Sequence, residues 1–261
     1  MSKTARGGAP VNVVLLAAGR GSRLGTLAQH THKSLLPVAG KPALQYVIDE
    51  VLARPVRDVV IVTGDKHEAI EEFVSQRYGG RIRPAYNARF AEDTNILSTE
   101  TGVAALERPE DGYLIIETDL IIEPSGWSQV LDVGDGRDSF WVTRGRYSTS
   151  LTGGALQVDA RGHVTDLVYA PKYEPRFEGY QKLLGILYVG REQVAKDREL
   201  RIAGMRRTIA QYYMTPWVEN LPQLPCRALS LGSIYAASYN DVETYQQTDR
   251  RFAEVLAGTV A

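Results

Sequence analysis

One apolar run near the start of the chain constrains its fold more than any other feature. Residues 11–17 are apolar except for Asn12, and they lead almost directly into Gly19 and Gly21. A run without polar alternation predicts a strand that is buried on both faces. Such strands belong to sheets that helices cover on both sides, so the chain is predicted to be an α/β protein.

The first half of the sequence continues this pattern by alternating short apolar strands with helical periodicity. Asp65 stands three residues before Glu68, a spacing typical of a capping box at a helix start. Further strands are predicted at 56–63, 82–86 and 113–117, and helices at 43–52, after residue 65, and at 95–106. This order predicts a Rossmann-like, mixed but mostly parallel sheet flanked by helices.

The pattern changes after about residue 138, where short strands are separated by Gly, Asp and Pro. Gly153-Gly154 and Arg161-Gly162 predict turns. The predicted elements are strands at 139–143, 155–158, 164–169 and 183–189, a helix at 206–213 that ends before Pro216, and a helix at 241–256. Residues 11–261 are therefore predicted to form one domain with halves 11–138 and 139–261, the second extending the sheet and adding a lid. Residues 1–10 are predicted to form a disordered tail.

Composition excludes several classes of function. Thirty basic residues against 31 acidic ones give a net charge of −1, which argues against a nucleic-acid partner. The single Cys226 excludes an internal disulfide, and the four histidines show no ligand spacing. His32, next to Lys33, is interpreted as a plain loop residue, with a position facing phosphate as the alternative. The apolar runs are too short to span a membrane, and the N-terminus lacks the apolar stretch of a signal peptide. A cytoplasmic protein without a membrane partner is expected; the oligomeric state is not indicated.

The densest chemical signal is the glycine loop that follows the first strand. Gly-x-Gly after a buried strand suits main-chain N–H groups that approach phosphates closely, because glycine has no Cβ. A dinucleotide-binding fingerprint would need Gly or Ala where Leu24 stands, and a Walker loop would need Ser or Thr where Pro42 stands. An ordinary tight turn is the alternative to phosphate binding.

A longer match surrounds this loop. Residues 16–24 read Leu-Ala-Ala-Gly-x-Gly-Ser-Arg-Leu, and Lys33 precedes Leu-Pro-Val at 36–38 and Gly-Lys-Pro at 40–42. This pattern resembles the signature of the sugar nucleotidyltransferase superfamily, with one clear departure at His32, where the family usually has proline. The resemblance implies an enzyme that joins a nucleoside triphosphate to a phosphorylated acceptor and releases pyrophosphate.

The resemblance also implies roles for individual residues. Arg23 is expected to hold the β- and γ-phosphates and Lys33 the α-phosphate, with two solvated loop cations as the alternative. Because the attacking acceptor oxygen is already an anion, positioning and charge stabilisation are expected to supply most of the catalysis. The loop residues expected to bind the nucleotide are Leu16, Ala17, Ala18, Gly19, Gly21 and Ser22.

Magnesium is the cofactor that the resemblance implies. Asp119 follows the strand at 113–117, at the sheet edge where ligands bind, and matches the family's metal-binding aspartate, although Glu117 lies close by. The family's second acid comes from a late Glu-Ile-Asp-Ser/Thr strand that this chain lacks. Ser238, Asn240 or Asp241 takes that position. Asp241 is expected to be the second metal ligand, and its alternative role is the N-cap of the last helix.

The choice of nucleotide rests on two segments. The chain lacks the Gln-x-x-x-x-Gly-Thr-Ala segment of hexose-1-phosphate uridylyl- and thymidylyltransferases. Its residues 94–98 resemble small cytidylyltransferases that act on phosphocholine or phosphonates, which implies that Asn95 and Ser98 lie beside the base. CTP is therefore expected, and helix capping is the alternative role of Asn95 and Ser98.

The second half supplies the residues expected to bind the acceptor, namely Arg144, Arg146, Lys172 and Lys182. Tyrosines at 147, 169, 173 and 180 would suit a cage for choline, but acids are sparse beside them. The cations favour a small phosphonate of the phosphonoformate or hydroxyethylphosphonate type over phosphocholine, and a solvated charged surface is their alternative. The main hypothesis is thus a CTP-dependent cytidylyltransferase. The alternatives are a hexose-1-phosphate nucleotidylyltransferase using UTP, dTTP or GTP, and a catalytically weak nucleotide-binding regulatory subunit.

Overall fold

The computed structural model describes residues 10–258, so the tail predicted at 1–10 lies outside the described residues except for Pro10. The strands are β1 (Val11–Ala17), β2 (Pro37–Val38), β3 (Lys41–Pro42), β4 (Val56–Thr63), β5 (Arg83–Tyr86), β6 (Tyr113–Glu117), β7 (Leu120–Ile122), β8 (Ser139–Arg146), β9 (Gly153–Val158), β10 (Val164–Ala170), β11 (Gln181–Val189), β12 (Cys226–Ser230) and β13 (Ala236–Ser238). The α-helices are α1 (Ala43–Leu52), α2 (His67–Tyr78), α3 (Ile96–Ala105), α4 (Pro124–Val130), α5 (Val194–Arg207), α6 (Thr215–Glu219) and α7 (Val242–Leu256).

Within residues 10–258, a central sheet of nine strands contains a parallel part and an antiparallel part. The strands β5, β4, β1 and β6 pair in parallel in that order, and β11 then pairs antiparallel with β6. Strand β11 also pairs with β9 and β8, which carry β10 and β12 at the outer edges. The predicted fold class, a mixed sheet flanked by helices, is confirmed. Both halves share this sheet, and this pairing supports the prediction that the chain forms a single domain from residue 11 onward.

The central strand β1 shows why the sequence lacks polar alternation. Val13 and Leu15 pack on one face of the sheet with α1, α2 and α4, while Val14 and Leu16 pack on the other face with residues of α3, α5 and α6. The buried exception, Asn12, donates two hydrogen bonds of 2.8 Å to main-chain carbonyls that precede β6. Those bonds satisfy its amide nitrogen, while its Oδ1 is buried without a donor among the described residues.

The predicted helix at 206–213 is wrong. Helix α5 ends at Arg207, residues 208–214 form a loop, and Pro216 lies in the first turn of α6, where proline is tolerated. The loop carbonyls of Ile209 and Gln211 accept N–H groups at the start of α3, an attachment that a helix here would prevent. Helix α5 escaped detection because its buried face carries the ion pair of Asp197 with Arg201 instead of apolar side chains.

Two local predictions are also wrong. Gly153 and Gly154 are the first two residues of β9 and not a turn. A Cβ on Gly154 would come within 2.9 Å of a Leu183 methyl group, and Gly153 has a φ of 104°. Helix α2 begins after Lys66, which takes a left-handed φ of 49° and provides no side-chain cap, while Asp65 pairs with Lys66. Among the helices between Pro10 and Gly258, none is long and apolar enough to cross a membrane.

Candidate active site

A cavity of about 560 Å³ opens where β1 and β6 end, and residues from both halves of the chain line it. Leu16 and Ala18 come from the end of β1, and Glu117 and Asp119 from the end of β6. The carboxyl edge of an open α/β sheet is the usual place for a ligand site. The volume lies within the range of small-molecule sites.

The glycine loop lies directly against the side chain of Lys33. A Cβ on Gly21 would stand 3.0 Å from the Lys33 Cβ, and Gly21 also has a φ of 62° that favours glycine. Gly19, Gly21, Ser22 and Arg23 line the cavity. Of the loop residues predicted to bind the nucleotide, Ala17 alone is not among the lining residues; its side chain is buried in the core on the other face of the sheet.

Lys33 and Asp119, which both line the cavity, form an ion pair. The Lys33 Nζ donates to the Asp119 Oδ2 at 2.6 Å, and Asp119 is 2% exposed. The other carboxylate oxygen, Oδ1, is buried, and no described residue donates a hydrogen bond to it. A buried carboxylate oxygen without a donor is costly, and a cation beside it would satisfy it.

Buried contacts on three sides hold the main chain around Lys33. The Tyr239 hydroxyl donates to the Lys33 carbonyl at 2.9 Å, and the Ser34 hydroxyl lies 2.7 Å from that of Thr118, which donates to Leu16. His32 is 1% exposed and contacts the carbonyl of the glycine loop, so its interpretation as a plain loop residue is wrong. Its departure from the family pattern was the one sequence signal that pointed to it.

Glu117 is a second acid in the cavity. Burial, reinforced by the carboxylate of Asp119, raises the pKa of Glu117 above its usual range, while Lys33 and Lys182 act in the opposite direction. Gly185 makes room for this side chain, because a Cβ at that position would stand 2.6 Å from the Glu117 Oε2. Gly185 has a φ of 80° and lies where the pairing of β11 with β8 shifts register. Glu117 therefore depends on a bulge in the neighbouring strand.

Only two of the four predicted acceptor-binding cations line the cavity. Lys182 donates to the carbonyls of Gly154 and Leu183, and burial, with Arg144 as the next cause, lowers its pKa to about 8. Arg144 donates to the Ala236 carbonyl, and its Nε is buried without a partner among the described residues. These two side chains form the cationic part of the acceptor side.

Arg146 and Lys172 lie outside the lining of this cavity. Gly145 takes a left-handed φ of 57°, and the pairing of β8 with β11 shifts there, so Arg146 does not follow the pleat that orients Arg144. It lines a separate cavity beside Gly179. Lys172 is exposed in the loop after β10, where its carbonyl accepts the Tyr147 hydroxyl. Their prediction as acceptor ligands gains no support from this placement.

Only one of the four tyrosines that the sequence suggested for a cage lines the cavity. Tyr147, Tyr173 and Tyr180 pack into a separate cluster, whereas Tyr169 lines the cavity beside Tyr212, with ring centroids 4.5 Å apart. Trp141 stacks on Tyr213 at 5.7 Å and also lines the cavity. The loop between α5 and α6, predicted as helix, therefore supplies aromatic surface that the sequence pattern did not reveal.

Asn95 and Ser98 both line the cavity and also support the start of α3. The Asn95 Oδ1 accepts the N–H of Tyr213 at 2.8 Å, which ties the α5–α6 loop to this helix. Ser98 donates to Asp93, whose two carboxylate oxygens accept the N–H groups of Leu97 and Ser98. Asp93 thus satisfies two of the free N–H groups at the start of α3, a role that the sequence pattern did not reveal.

The late strand β13 brings the candidates for the second metal ligand next to Asp119. Ser238 pairs with Leu120, and the N–H of Tyr239 donates to the Asp119 carbonyl at 3.2 Å. Ser238, Asn240 and Asp241 all line the cavity. Asp241 is the N-cap of α7, where its Oδ1 accepts the N–H and the hydroxyl of Thr244, so the capping role expected as an alternative is confirmed.

The residues present fit a magnesium ion that shares its coordination with phosphates. Among residues 10–258, no group of three or more acidic, His or Cys side chains is arranged to hold a metal by itself. Magnesium does not need such a group, since one or two carboxylates and substrate phosphates suffice. The Asp119 oxygen without a donor could serve as one carboxylate ligand, and Asp241 lines the same cavity.

Comparisons with known proteins agree with this geometry. The chain is 31% identical over 195 residues to a CMP-5'-(3-aminopropyl)phosphonate synthase of Streptomyces rubellomurinus, which covers 73% of this chain and 30% of that protein. It is 36% identical over 88 residues to a choline-phosphate cytidylyltransferase of Haemophilus influenzae, covering 34% of this chain and 36% of that protein. The matches thus span about a third of these relatives' length.

The fold comparison covers nearly the whole chain. The CTP:phosphocholine cytidylyltransferase of Streptococcus pneumoniae superposes with a TM-score of 0.76 at 20% identity, over 95% of this chain and 99% of that one. At such identity the likeness shows the fold alone. The model of the MobA-like NTP transferase domain matches residues 13–182. The resemblance to nucleotidyltransferases is therefore confirmed, and the chain belongs to the MobA-like NTP transferase domain family.

Proposed function

We propose that this protein is a CTP-dependent cytidylyltransferase that transfers CMP to a small phosphonate or phosphomonoester and releases pyrophosphate. One observation carries the proposal: the glycine loop, Lys33 and Asp119 converge on a cavity whose other side presents Arg144 and Lys182. Cations on both sides of one cavity suit a reaction between two polyanions.

The reaction needs positioning more than proton transfer. An oxygen of the acceptor's phosphate or phosphonate attacks the α-phosphorus of CTP; the new P–O bond forms as the bond to the β-phosphate oxygen breaks, and pyrophosphate leaves. Lys33, now paired with Asp119, lies where its ammonium group would reach the α-phosphate, and the exposed Arg23 would hold the β- and γ-phosphates. The glycine loop would offer main-chain N–H groups to the same phosphates.

Magnesium would be held by Asp119, with Asp241 as the second carboxylate. The ion would neutralise charge on the triphosphate when bound. Asp119 supplies a buried oxygen without a donor among the described residues, and Asp241 lines the same cavity while its Oδ1 accepts from Thr244 in capping. Arg23 lies near enough to Asp241 to lower the pKa of that carboxyl group, after the larger effect of the Thr244 N–H.

The choice of CTP and of a phosphonate rests on different supports. The two relatives compared above are named for CMP or cytidylyl transfer, and Asn95 and Ser98 line the cavity as the cytidylyltransferase resemblance implies. Lys182 and Arg144 both line the cavity and place two cationic side chains beside Glu117, which favours an anionic acceptor over phosphocholine. The cytoplasmic location stays a prediction.

A pyrophosphate-release assay tests the proposal. Purified protein and Mg²⁺ are combined with CTP, UTP, dTTP or GTP, and with phosphonates, phosphocholine or glucose 1-phosphate. We expect turnover with CTP and a small phosphonate or phosphomonoester. Turnover with UTP or dTTP and glucose 1-phosphate would contradict the nucleotide, and turnover of phosphocholine without any phosphonate would contradict the preferred acceptor. Nucleotide binding without any turnover would instead indicate a regulatory subunit.

A further inference from the structure

His32 lies beneath the glycine loop, and main-chain groups occupy both of its ring nitrogens. Its Nε2 lies 3.0 Å from the Gly19 carbonyl oxygen, and its Nδ1 accepts the N–H of Ser34 at 3.2 Å. Because Nδ1 is an acceptor, Nε2 carries the proton and donates to Gly19. The two contacts therefore join the loop before Arg23 to the segment that carries Lys33.

The imidazole is neutral at the pH where the enzyme would work. Burial lowers the pKa of His32 to about 4, and the adjacent charges of Lys33 and Lys66 act in the same direction. The Gly19 carbonyl and Asp65 oppose this shift without outweighing it. A neutral ring with one donor and one acceptor is the form that the two contacts require, so His32 serves as a fixed link and not as an acid or base.

The contact with Gly19 fixes the orientation of one peptide group in the loop. In a trans peptide the C=O and the following N–H point in opposite directions. Since the Gly19 oxygen faces His32, the Arg20 N–H points away from His32; Gly19 and Arg20 are exposed residues, and Gly19 lines the cavity. Rotation of this peptide would turn the carbonyl oxygen outward, where it would repel a phosphate, and glycine offers little resistance to such rotation.

We propose that His32 is a positioning residue that holds the Gly19–Arg20 peptide with its N–H toward the nucleotide phosphates and keeps the loop attached to Lys33. The inference deepens the proposed function and rests on it, since it takes the glycine loop to bind a triphosphate.

Two conservative substitutions separate the two contacts of the ring. In His32→Asn the amide oxygen replaces Nδ1 and keeps the Ser34 contact, but the side chain is too short to reach Gly19. In His32→Gln the amide nitrogen reaches the position of Nε2 and keeps the Gly19 contact. Substitution of the exposed His163 by Asn is the matched control.

The measurement is calorimetric binding of a non-hydrolysable α,β-methylene analogue of CTP with Mg²⁺, together with Tm. We expect His32→Asn to raise Kd about tenfold, the contribution of one hydrogen bond, and His32→Gln to stay within about threefold of wild type. The KM for CTP should follow Kd while kcat changes less. Equal affinity of wild type and His32→Asn would overturn the proposal, as would equal losses in both variants that follow their Tm.

Hydrogen exchange separates this proposal from the proposed function. If the wild-type protein bound no nucleoside triphosphate, the proposed function would fail. Amide exchange in the glycine loop would still show whether His32 holds that loop. Faster amide exchange in a peptide covering residues 19–24 of His32→Asn, but not of His32→Gln, supports the link. Unchanged exchange in both variants overturns it.

Discussion

The two sides of the cavity are built in different ways. We call the glycine loop, Lys33 and Asp119 the nucleotide side, and Arg144, Lys182 and the aromatic residues of the α5–α6 loop the acceptor side. The nucleotide side lies at the ends of parallel strands, and its side chains contact one another at 2.6 Å and through the Tyr239, Ser34 and His32 contacts. The two cations of the acceptor side lie on antiparallel strands interrupted at Gly145 and Gly185, and its aromatic residues lie on a loop.

This difference suggests that the nucleotide side binds the triphosphate and the acceptor side selects the acceptor. Parallel strands place all their carboxyl ends at one edge of the sheet, so the residues that bind the triphosphate can be held there in the same way for every acceptor. Bulges and loops re-orient individual side chains, as the separation of Arg144 from Arg146 shows, and are suited to variation in the acceptor. Substitutions on the nucleotide side should therefore affect all acceptors alike, whereas those on the acceptor side should discriminate among them.

Asp119→Asn should give the largest effect. The substitution keeps the size of the side chain but removes the carboxylate charge beside Lys33, so we expect kcat/KM to fall about a thousandfold, or about 4 kcal/mol. Pyrophosphate release with two different acceptors measures it. The loss should be equal for both, and a difference above about tenfold would show that Asp119 also belongs to the acceptor side. Substitution of the exposed Asp135 by Asn is the control.

Gly185→Ala should give the next largest effect, on stability. The new Cβ would meet the Glu117 carboxylate at 2.6 Å, and φ is 80°, so strain and overlap together should lower the free energy of unfolding by about 3 kcal/mol. Gly232→Ala is a matched control, since its φ is 60° with no heavy atom within 4 Å, and it should cost only about 1 kcal/mol. Denaturant titrations measure both. Equal costs would show that Glu117 moves aside freely.

The sequence predicted the nucleotide side better than the acceptor side for a physical reason. Strand β1 and the placement of Asp119 follow from local apolar runs and turn residues, which act over a few positions. The bulge at Gly145, which separates Arg146 from Arg144, arises from pairing with β11, about forty residues away in sequence. A helix is predicted at 206–213, but residues 208–214 are held as a loop by hydrogen bonds to the start of α3, and a local pattern carries no information about such a partner.

Lys182→Met tests the acceptor side. The ammonium group lines the cavity, so its loss should lower kcat/KM for the acceptor about thirtyfold and leave the KM for CTP within about twofold. In the wild type, kcat/KM for the acceptor should fall as pH rises through about 8, where Lys182 loses its proton. Lys182→Arg should abolish that decline, because guanidinium stays charged. A decline that persists in Lys182→Arg would assign the titration to another group.

The same shift in pKa has a consequence for stability. The pKa of Lys182 is about 8 in the folded protein and near 10.5 when unperturbed, so between these values the unfolded chain binds more protons. Stability contributed by this residue should therefore rise with pH in that window. Lys182→Met should remove this rise, which thermal unfolding at pH 8 and 10 would detect.

Asp241→Asn should give the smallest effect, and it separates the two roles of this residue. Asparagine is as good an N-cap as aspartate, so the Tm should change little, whereas loss of a carboxylate ligand should lower kcat/KM about tenfold and raise the Mg²⁺ concentration needed for half-maximal rate. Asn240→Ala, which removes a neighbouring polar side chain of the cavity without changing charge, is the comparison. If Asp241→Asn kept the full rate at low Mg²⁺ and Asn240→Ala did not, the second ligand would be Asn240. Asp119 would then be the only carboxylate that binds the ion on the nucleotide side.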